Sequence, residues 1–219
     1  MNKLLTSMLS LAVASVMAVS AQAQEVKGDA KAAETKIAMC IGCHGIPGYK
    51  ASFPEVYSVP KISGQNSKYI VAALTAYKKG ERKHPTMRGI ADSLTEQDIA
   101  DVAAYYEQHG KTDAITAAPS APSDKVNALL QKGGCVACHG ANFTQPLDPS
   151  YPKIAGQHKD YLYVALKSYK VENQSTWGRS NGIMGGIAKQ FSNAELKALA
   201  EYVASQNGEL KTIAQSHFR

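Results

Sequence analysis

Residues 40–44 read Cys-Ile-Gly-Cys-His, and residues 135–139 read Cys-Val-Ala-Cys-His. These two stretches hold all four cysteines of a 219-residue chain. Each packs three reactive side chains into five positions, so whatever they hold must lie against the backbone at that point. Because the stretch occurs twice, the chain must close around such a group twice. Three chemistries use residues of this kind. Four cysteines would allow two disulfides in an oxidising compartment. Zinc needs about four converging ligands, and each stretch offers three with no evident fourth. C-x-x-C-H is the attachment pattern of c-type haem. There, each sulfur forms a thioether with one vinyl edge of the porphyrin, and the next histidine gives its Nε2 to the iron. The full pattern at two corresponding places favours this third chemistry. Cys40, Cys43 and His44 are the candidate holders of one haem c, and Cys135, Cys138 and His139 of a second.

The chain repeats itself around these motifs. VPKISGQNSKYI (59–70) aligns with YPKIAGQHKDYL (151–162). RKHPTMRGIA (82–91) aligns with RSNGIMGGIA (179–188), and LTEQDIADVAAYY (94–106) with FSNAELKALAEYV (191–203). Self-similarity of this kind marks duplication of one structural unit. The stretch GKTDAITAAPSAPSD (110–124), rich in Ala, Pro, Ser and Thr, reads as a linker between the copies. The expected organisation is domain 1 over 24–110, a linker over 111–123, and domain 2 over 124–219. The first residues combine Lys3, an apolar run from Leu4 to Val19 and the small-x-small triplet Ala21-Gln22-Ala23. The run is short for a membrane span, so 1–23 is expected to be a cleaved signal peptide and the mature protein to be exported.

Each copy has the same expected layout. A helix leads into the CxxCH motif, over 27–39 and 124–133. An extended loop follows. Then comes an amphipathic helix with Ile70, Leu74 and Tyr77, or Leu162, Leu166 and Tyr169, at i, i+4 and i+7. A capped helix closes each copy; Ser192 with Glu195 fits the capping box, and Thr95 with Asp98 fits it loosely. Strand signals are weak throughout. The expected fold is all-α: two tandem small helical domains, each too small to build a full core without its covalently bound haem.

The residue opposite the histidine decides what such a site does. A methionine thioether caps the iron and suits electron transfer, whereas an open position admits ligand chemistry. Six methionines exist. Met1, Met8 and Met17 fall in the signal segment, and Met39 adjoins Cys40 too closely to reach the other face. Met87 and Met184 remain, one per copy, at equivalent places in loops; they are the candidate axial ligands, with His44 and His139. His84 is a rival for the first iron, but its counterpart is Asn181. His84, His109, His158 and His217 are read as solvated surface. Pro60 and Pro152 are candidates to accept a hydrogen bond from the second ring nitrogen of each ligating histidine.

With two CxxCH motifs, two PKIxGQ segments and two R-x-x-x-x-M stretches, the chain resembles the dihaem class I cytochromes c of the cytochrome c4 kind. The resemblance implies two small cytochrome c domains with haem propionates near their interface. It also implies periplasmic location, association at the membrane surface, and passage of electrons from a quinol-oxidising complex or dehydrogenase to a terminal oxidase or reductase. The chain departs from the pattern in a lengthened loop, GIPGYKASFPEVYSV (45–59). Formal net charge is +6. The cluster KKGERKH (78–84) is a candidate docking patch for an acidic redox partner; nucleic acid is not expected. Alternatives to a carrier are an electron-accepting subunit of a dehydrogenase complex and a dihaem oxidoreductase acting on a small sulfur compound. The expectation is a carrier without catalytic residues of its own.

Overall fold

The computed structural model describes residues 26–111, 118–172 and 174–214. The signal segment 1–23 and His217 lie outside the described residues. A 3₁₀ turn, Ala32–Thr35, precedes α1 (Ala38–His44). The continuous helix expected over 27–39 is thus a turn followed by a later helix that itself carries the CxxCH motif. The cause is local. The Asp29 carboxylate accepts from the amides of Lys31 and Ala32, and the Asp29 amide is held by Asp101 at 2.8 Å. Such a side-chain cap competes with helix continuation.

The first half continues with a short ribbon, β1 (Lys50–Ala51) and β2 (Tyr57–Ser58), then α2 (Ser67–Lys79), β3 (Arg82–Lys83), α3 (Pro85–Asp92) and α4 (Glu96–Gln108). The second half contains α5 (Asp124–Gly133), α6 (Cys135–His139), α7 (Lys159–Ser168), β4 (Gly178–Arg179), α8 (Gly182–Ala188) and α9 (Asn193–Ala204). The fold is all-helical apart from these two-residue strands. On α2 the expected stripe of Ile70, Leu74 and Tyr77 is buried. On α7 the buried stripe is Leu162, Val164, Ala165 and Ser168, while Leu166 and Tyr169 are only half-buried because they line a cavity. Both closing helices have complete capping boxes, Thr95 with Asp98 and Ser192 with Glu195. Each half has its own apolar cluster, one around Ile37, Ile70 and Leu74, the other around Leu130, Phe191 and Leu199.

The two PKIxGQ segments meet at the seam between the halves. Gln65 and Gln157 are 4% and 5% exposed. Gln157 Oε1 accepts from the Lys61 amide at 2.9 Å, and its Nε2 donates to the Lys61 carbonyl at 2.9 Å. Gln65 does the same to Lys153, at 2.9 and 3.0 Å. Each glutamine therefore completes the backbone of the other half as a neighbouring strand would. The glycines before them take φ of +84° at Gly64 and +67° at Gly156. A Cβ there would sit 3.0 Å from the Glu209 carbonyl oxygen or 3.2 Å from that of Gln206, so the segments need glycine for both conformation and space.

A second set of contacts fastens the first half's ribbon to α7. Asp160 Oδ2 accepts from the Ser58 amide and hydroxyl, each at 2.8 Å, and from Lys50 Nζ at 3.0 Å. Lys167 pairs with Glu55. Burial pushes the Asp160 carboxyl pKa up, but Lys50 and the Ser58 donors outweigh it and hold the group down at about 2, against 3.8 ordinarily. A depressed carboxyl pKa stabilises the folded state above about 3.8 and loses that contribution as pH falls through about 2. Urea unfolding of the ferric protein between pH 5 and pH 2 is expected to show a steeper loss of stability for wild type than for Asp160→Asn. Parallel pH profiles would show that the contact contributes nothing.

Candidate functional site

α1 sets Cys40 and Cys43 at i and i+3, on one side of the helix, with His44 at its last position. α6 does the same for Cys135, Cys138 and His139. None of the four cysteines is in a disulfide. Burial pushes the Cys40 thiol up to about 11 and moves Cys135 in the same direction. Among the described residues no group of three or more His, Cys, Asp and Glu side chains is arranged to hold a bare metal ion.

His44 Nδ1 lies 2.8 Å from the Pro60 carbonyl oxygen, and His139 Nδ1 lies 3.2 Å from that of Pro152. A carbonyl only accepts, so each Nδ1 carries the proton and each Nε2 keeps a lone pair. Burial lowers the pKa of both imidazoles, against the opposing effect of the carbonyl bond. The neutral, ligating form is thereby favoured. Both histidines, all four cysteines, Met87 and Met184 line one continuous cavity of about 530 Å³ shared by the two halves.

The methionines sit in the first turns of α3 and α8, on helices where the sequence pointed to loops. The difference arises from capping. The Met87 amide donates to His84 Nδ1 at 3.3 Å, and the Met184 amide donates to Asn181 Oδ1 at 2.9 Å. His84 is therefore a half-buried helix cap, which corrects its reading as solvated surface. His109 is likewise engaged, with Ser63 at 3.0 Å and stacked on Tyr105. His158 is half-buried at the N-cap of α7.

In the basic cluster 78–84, Lys78 and Lys79 are exposed, and Arg82 turns inward. Lys78 donates to the Leu94 carbonyl and Lys83 to that of Gln174. Arg82 lies over the Tyr77 ring, at 4.5 Å. It is paired across the seam with Arg179 through β3 and β4. Arg82 donates to Tyr69 at 3.2 Å and Tyr161 at 2.8 Å; Arg179 donates to Tyr161 at 3.2 Å and Tyr169 at 3.4 Å. Arg82 Nε is buried without a partner. Among the described residues no carboxylate pairs with either guanidinium. Burial raises the Tyr161 pKa, but the two cations outweigh it and pull the phenol below its usual value. Sequence reading missed this site; the signal for it was an arginine at the same repeat position in both halves, flanked by repeated tyrosines.

Buried cations without counter-charges are costly. A ligand that brings carboxylates to this wall of the cavity would relieve both arginines, and haem carries two propionates. An apolar cavity with paired thiols, tautomer-fixed histidines, methionines and two guanidiniums lacking anions fits that group in each half.

The comparisons agree with this geometry. The model of the cytochrome c family, described as "Cytochrome c", matches residues 30–109 and 123–207. Cytochrome c4 of Stutzerimonas stutzeri is 31% identical over 217 residues, covering 93% of this chain and 98% of the relative. The thiosulfate dehydrogenase electron acceptor of Stutzerimonas stutzeri strain A1501 is 29% identical, covering 87% and 89% of the two chains. The crystal structure of reduced recombinant cytochrome c4 from Pseudomonas stutzeri superposes with a TM-score of 0.61 at 27% identity, over 82% of this chain and 100% of that one. Cys40→Ala/Cys43→Ala is expected to halve the haem retained per chain after acid–acetone extraction, read as pyridine haemochrome; unchanged retention would show that the first motif carries none. The chain belongs to the cytochrome c family, as a cytochrome c4-like electron-transfer protein with two domains, each carrying one covalently bound haem c.

Proposed function

We propose that the protein is an exported, periplasmic carrier in which both irons have histidine and methionine ligands. His44 with Met87 would hold the first iron and His139 with Met184 the second. Cys40, Cys43, Cys135 and Cys138 would form the thioethers. The observation that carries this reading is the one shared cavity, where each tautomer-fixed histidine and each N-capped methionine come from separate elements of the same half.

Haem supplies the one-electron chemistry, its iron alternating between the ferric and ferrous states. The chain's part is to limit what changes during that step. The Pro60 and Pro152 carbonyls fix the imidazole tautomers. His84 and Asn181 hold the methionine backbones. Apolar side chains such as Leu74, Ile90, Leu162 and Leu199 keep water from the cavity. Held by His44 and Met87, and by His139 and Met184, haem would supply reversible one-electron chemistry, with the thioethers favouring the ferrous state.

On this reading no residue acts as a catalyst, and electrons pass from a quinol-oxidising complex or a dehydrogenase to a terminal oxidase or reductase. The second reading, an electron-accepting subunit of a dehydrogenase complex, is favoured by the thiosulfate dehydrogenase electron acceptor among the relatives. Turnover by the separately purified protein, as a diffusible acceptor, would exclude an obligate subunit. The described residues contain no helix long and apolar enough to cross a membrane; attachment at a membrane surface is part of the proposal.

The ligand assignment has a direct test. Wild type is expected to show the weak ferric band near ~695 nm that marks methionine–iron bonding, and no carbon monoxide binding when reduced. Met87→Ala and Met184→Ala are each expected to lose about half of that band and to open one haem to carbon monoxide. A substitution that alters neither would remove that residue from the ligand set.

A further inference from the structure

The two halves differ most where the first half's loop is longer. Between His44 and its Pro60 acceptor the separation is 16 residues, and between His139 and Pro152 it is 13. The extra length folds into the β1–β2 ribbon, with Lys50 opposite Ser58 and Ala51 opposite Tyr57. Both residues of β2 are buried. On one side, Ser58 is held by Asp160 of the second half through its amide and hydroxyl. On the other, Tyr57 Oη lies 3.0 Å from His84 Nε2, and the Tyr57 ring is 6.2 Å from that of Tyr161. His84 Nδ1 accepts from the Met87 amide, so its proton is on Nε2 and is donated to Tyr57. Five residues thus run in series from the second half to the first half's methionine: Asp160, Ser58, Tyr57, His84 and Met87.

At the corresponding place in the second half the tie to the first is made by the backbone before the cap, where Ser180 donates to the Glu81 carbonyl at 2.6 Å, and not by the capping side chain. Asn181 caps α8 with its own amide oxygen at 2.9 Å, and among the described residues no hydrogen bond ties it to the first half. An asparagine cap needs no outside partner to orient it, whereas a half-buried imidazole needs an acceptor for its remaining N–H.

We infer that Met87 is positioned from the second half, through Asp160, the Tyr57–Ser58 ribbon and His84, whereas Met184 is positioned locally by Asn181. Tyr57, Ser58, His84 and Asp160 are positioning residues that act through one another. The inference rests on the reading of Met87 and Met184 as axial ligands. It makes the iron–methionine bond of the first haem sensitive to the Asp160 contact of the seam, and leaves that of the second haem independent of that contact.

The test uses the complete two-haem protein. In the reduced state each methionine-ligated haem gives its own upfield methionine methyl signal in proton NMR, and the signal missing from Met87→Ala assigns the first haem. Tyr57→Phe removes the hydroxyl from His84 Nε2 and leaves the imidazole its backbone bond to Phe53. It is expected to shift the first haem's signal alone and to make that haem bind carbon monoxide about tenfold more readily, the factor that corresponds to about 1.4 kcal/mol. Asp160→Asn is expected to act on the same haem in the same direction, more weakly, although Asp160 belongs to the other half. Asn181→Ala is expected to act on the second haem alone. In a His84→Asn background, which copies the second half's cap, Tyr57→Phe is expected to have no further effect on the first haem. Equal effects of Tyr57→Phe on both haems, or none on the first, would overturn the inference while leaving the ligand assignment standing. Absence of a methionine signal for the first haem in wild type would instead overturn the ligand assignment, and the inference with it.

Discussion

The reciprocal hydrogen bonds of Gln65 and Gln157 are the contact on which the rest of the arrangement depends. They sit in segments only a few residues long, yet each segment has three tasks. Its proline carbonyl fixes the tautomer of the histidine in its own half. Its glycine lets the chain pass close under the end of the closing helices, where Gly64 donates to Tyr106 and Gly156 to Val203. Its glutamine completes the backbone of the opposite half. A buried amide that satisfies both a donor and an acceptor of another segment is costly to lose, because all partners are left unpaired in a low-dielectric setting. The geometry of each CxxCH histidine is thereby tied to the packing of the two halves against each other.

This seam also explains why one cavity serves two sites. Two small helical units, each with a modest apolar cluster, would separately expose the walls that face their prosthetic groups. Brought together, they place Arg82 beside Arg179 and gather Tyr69, Tyr161 and Tyr169 around them. Among the described residues no carboxylate pairs with these guanidiniums, so positive charge is left facing the shared cavity. Folding, cofactor loading and assembly of the seam are in this sense linked.

Much of this was legible in the sequence, and the parts that were not have physical reasons. The CxxCH motifs, the repeat and the helical stripe of Ile70, Leu74 and Tyr77 follow from local spacing, which sequence reports directly. The 3₁₀ turn before α1 was not legible because its Asp29 cap is anchored by Asp101, 72 positions away. Met87 and Met184 read as loop residues because short helices rich in glycine and proline carry little propensity; their caps, His84 and Asn181, supply what propensity does not. Within the basic run at 78–84, Lys78 and Lys79 lie on the surface, but charge alone does not reveal that Arg82 turns the other way. Arg82 turns inward only because Tyr77 and the second half's Tyr161 form a site for it. The glutamine contacts join residues some 90 positions apart, and no local pattern announces them beyond their recurrence in both copies.

The central claim is that the seam makes the two haems one electron-carrying unit. The most direct measurement is the redistribution of a single electron between the haems after rapid partial reduction of the fully oxidised protein, in wild type and in Gln65→Ala/Gln157→Ala. The account predicts a first-order process in wild type whose rate is independent of protein concentration, and a clear slowing in the double variant. Redistribution that scales with protein concentration in wild type, and so proceeds by collisions between molecules, would contradict it.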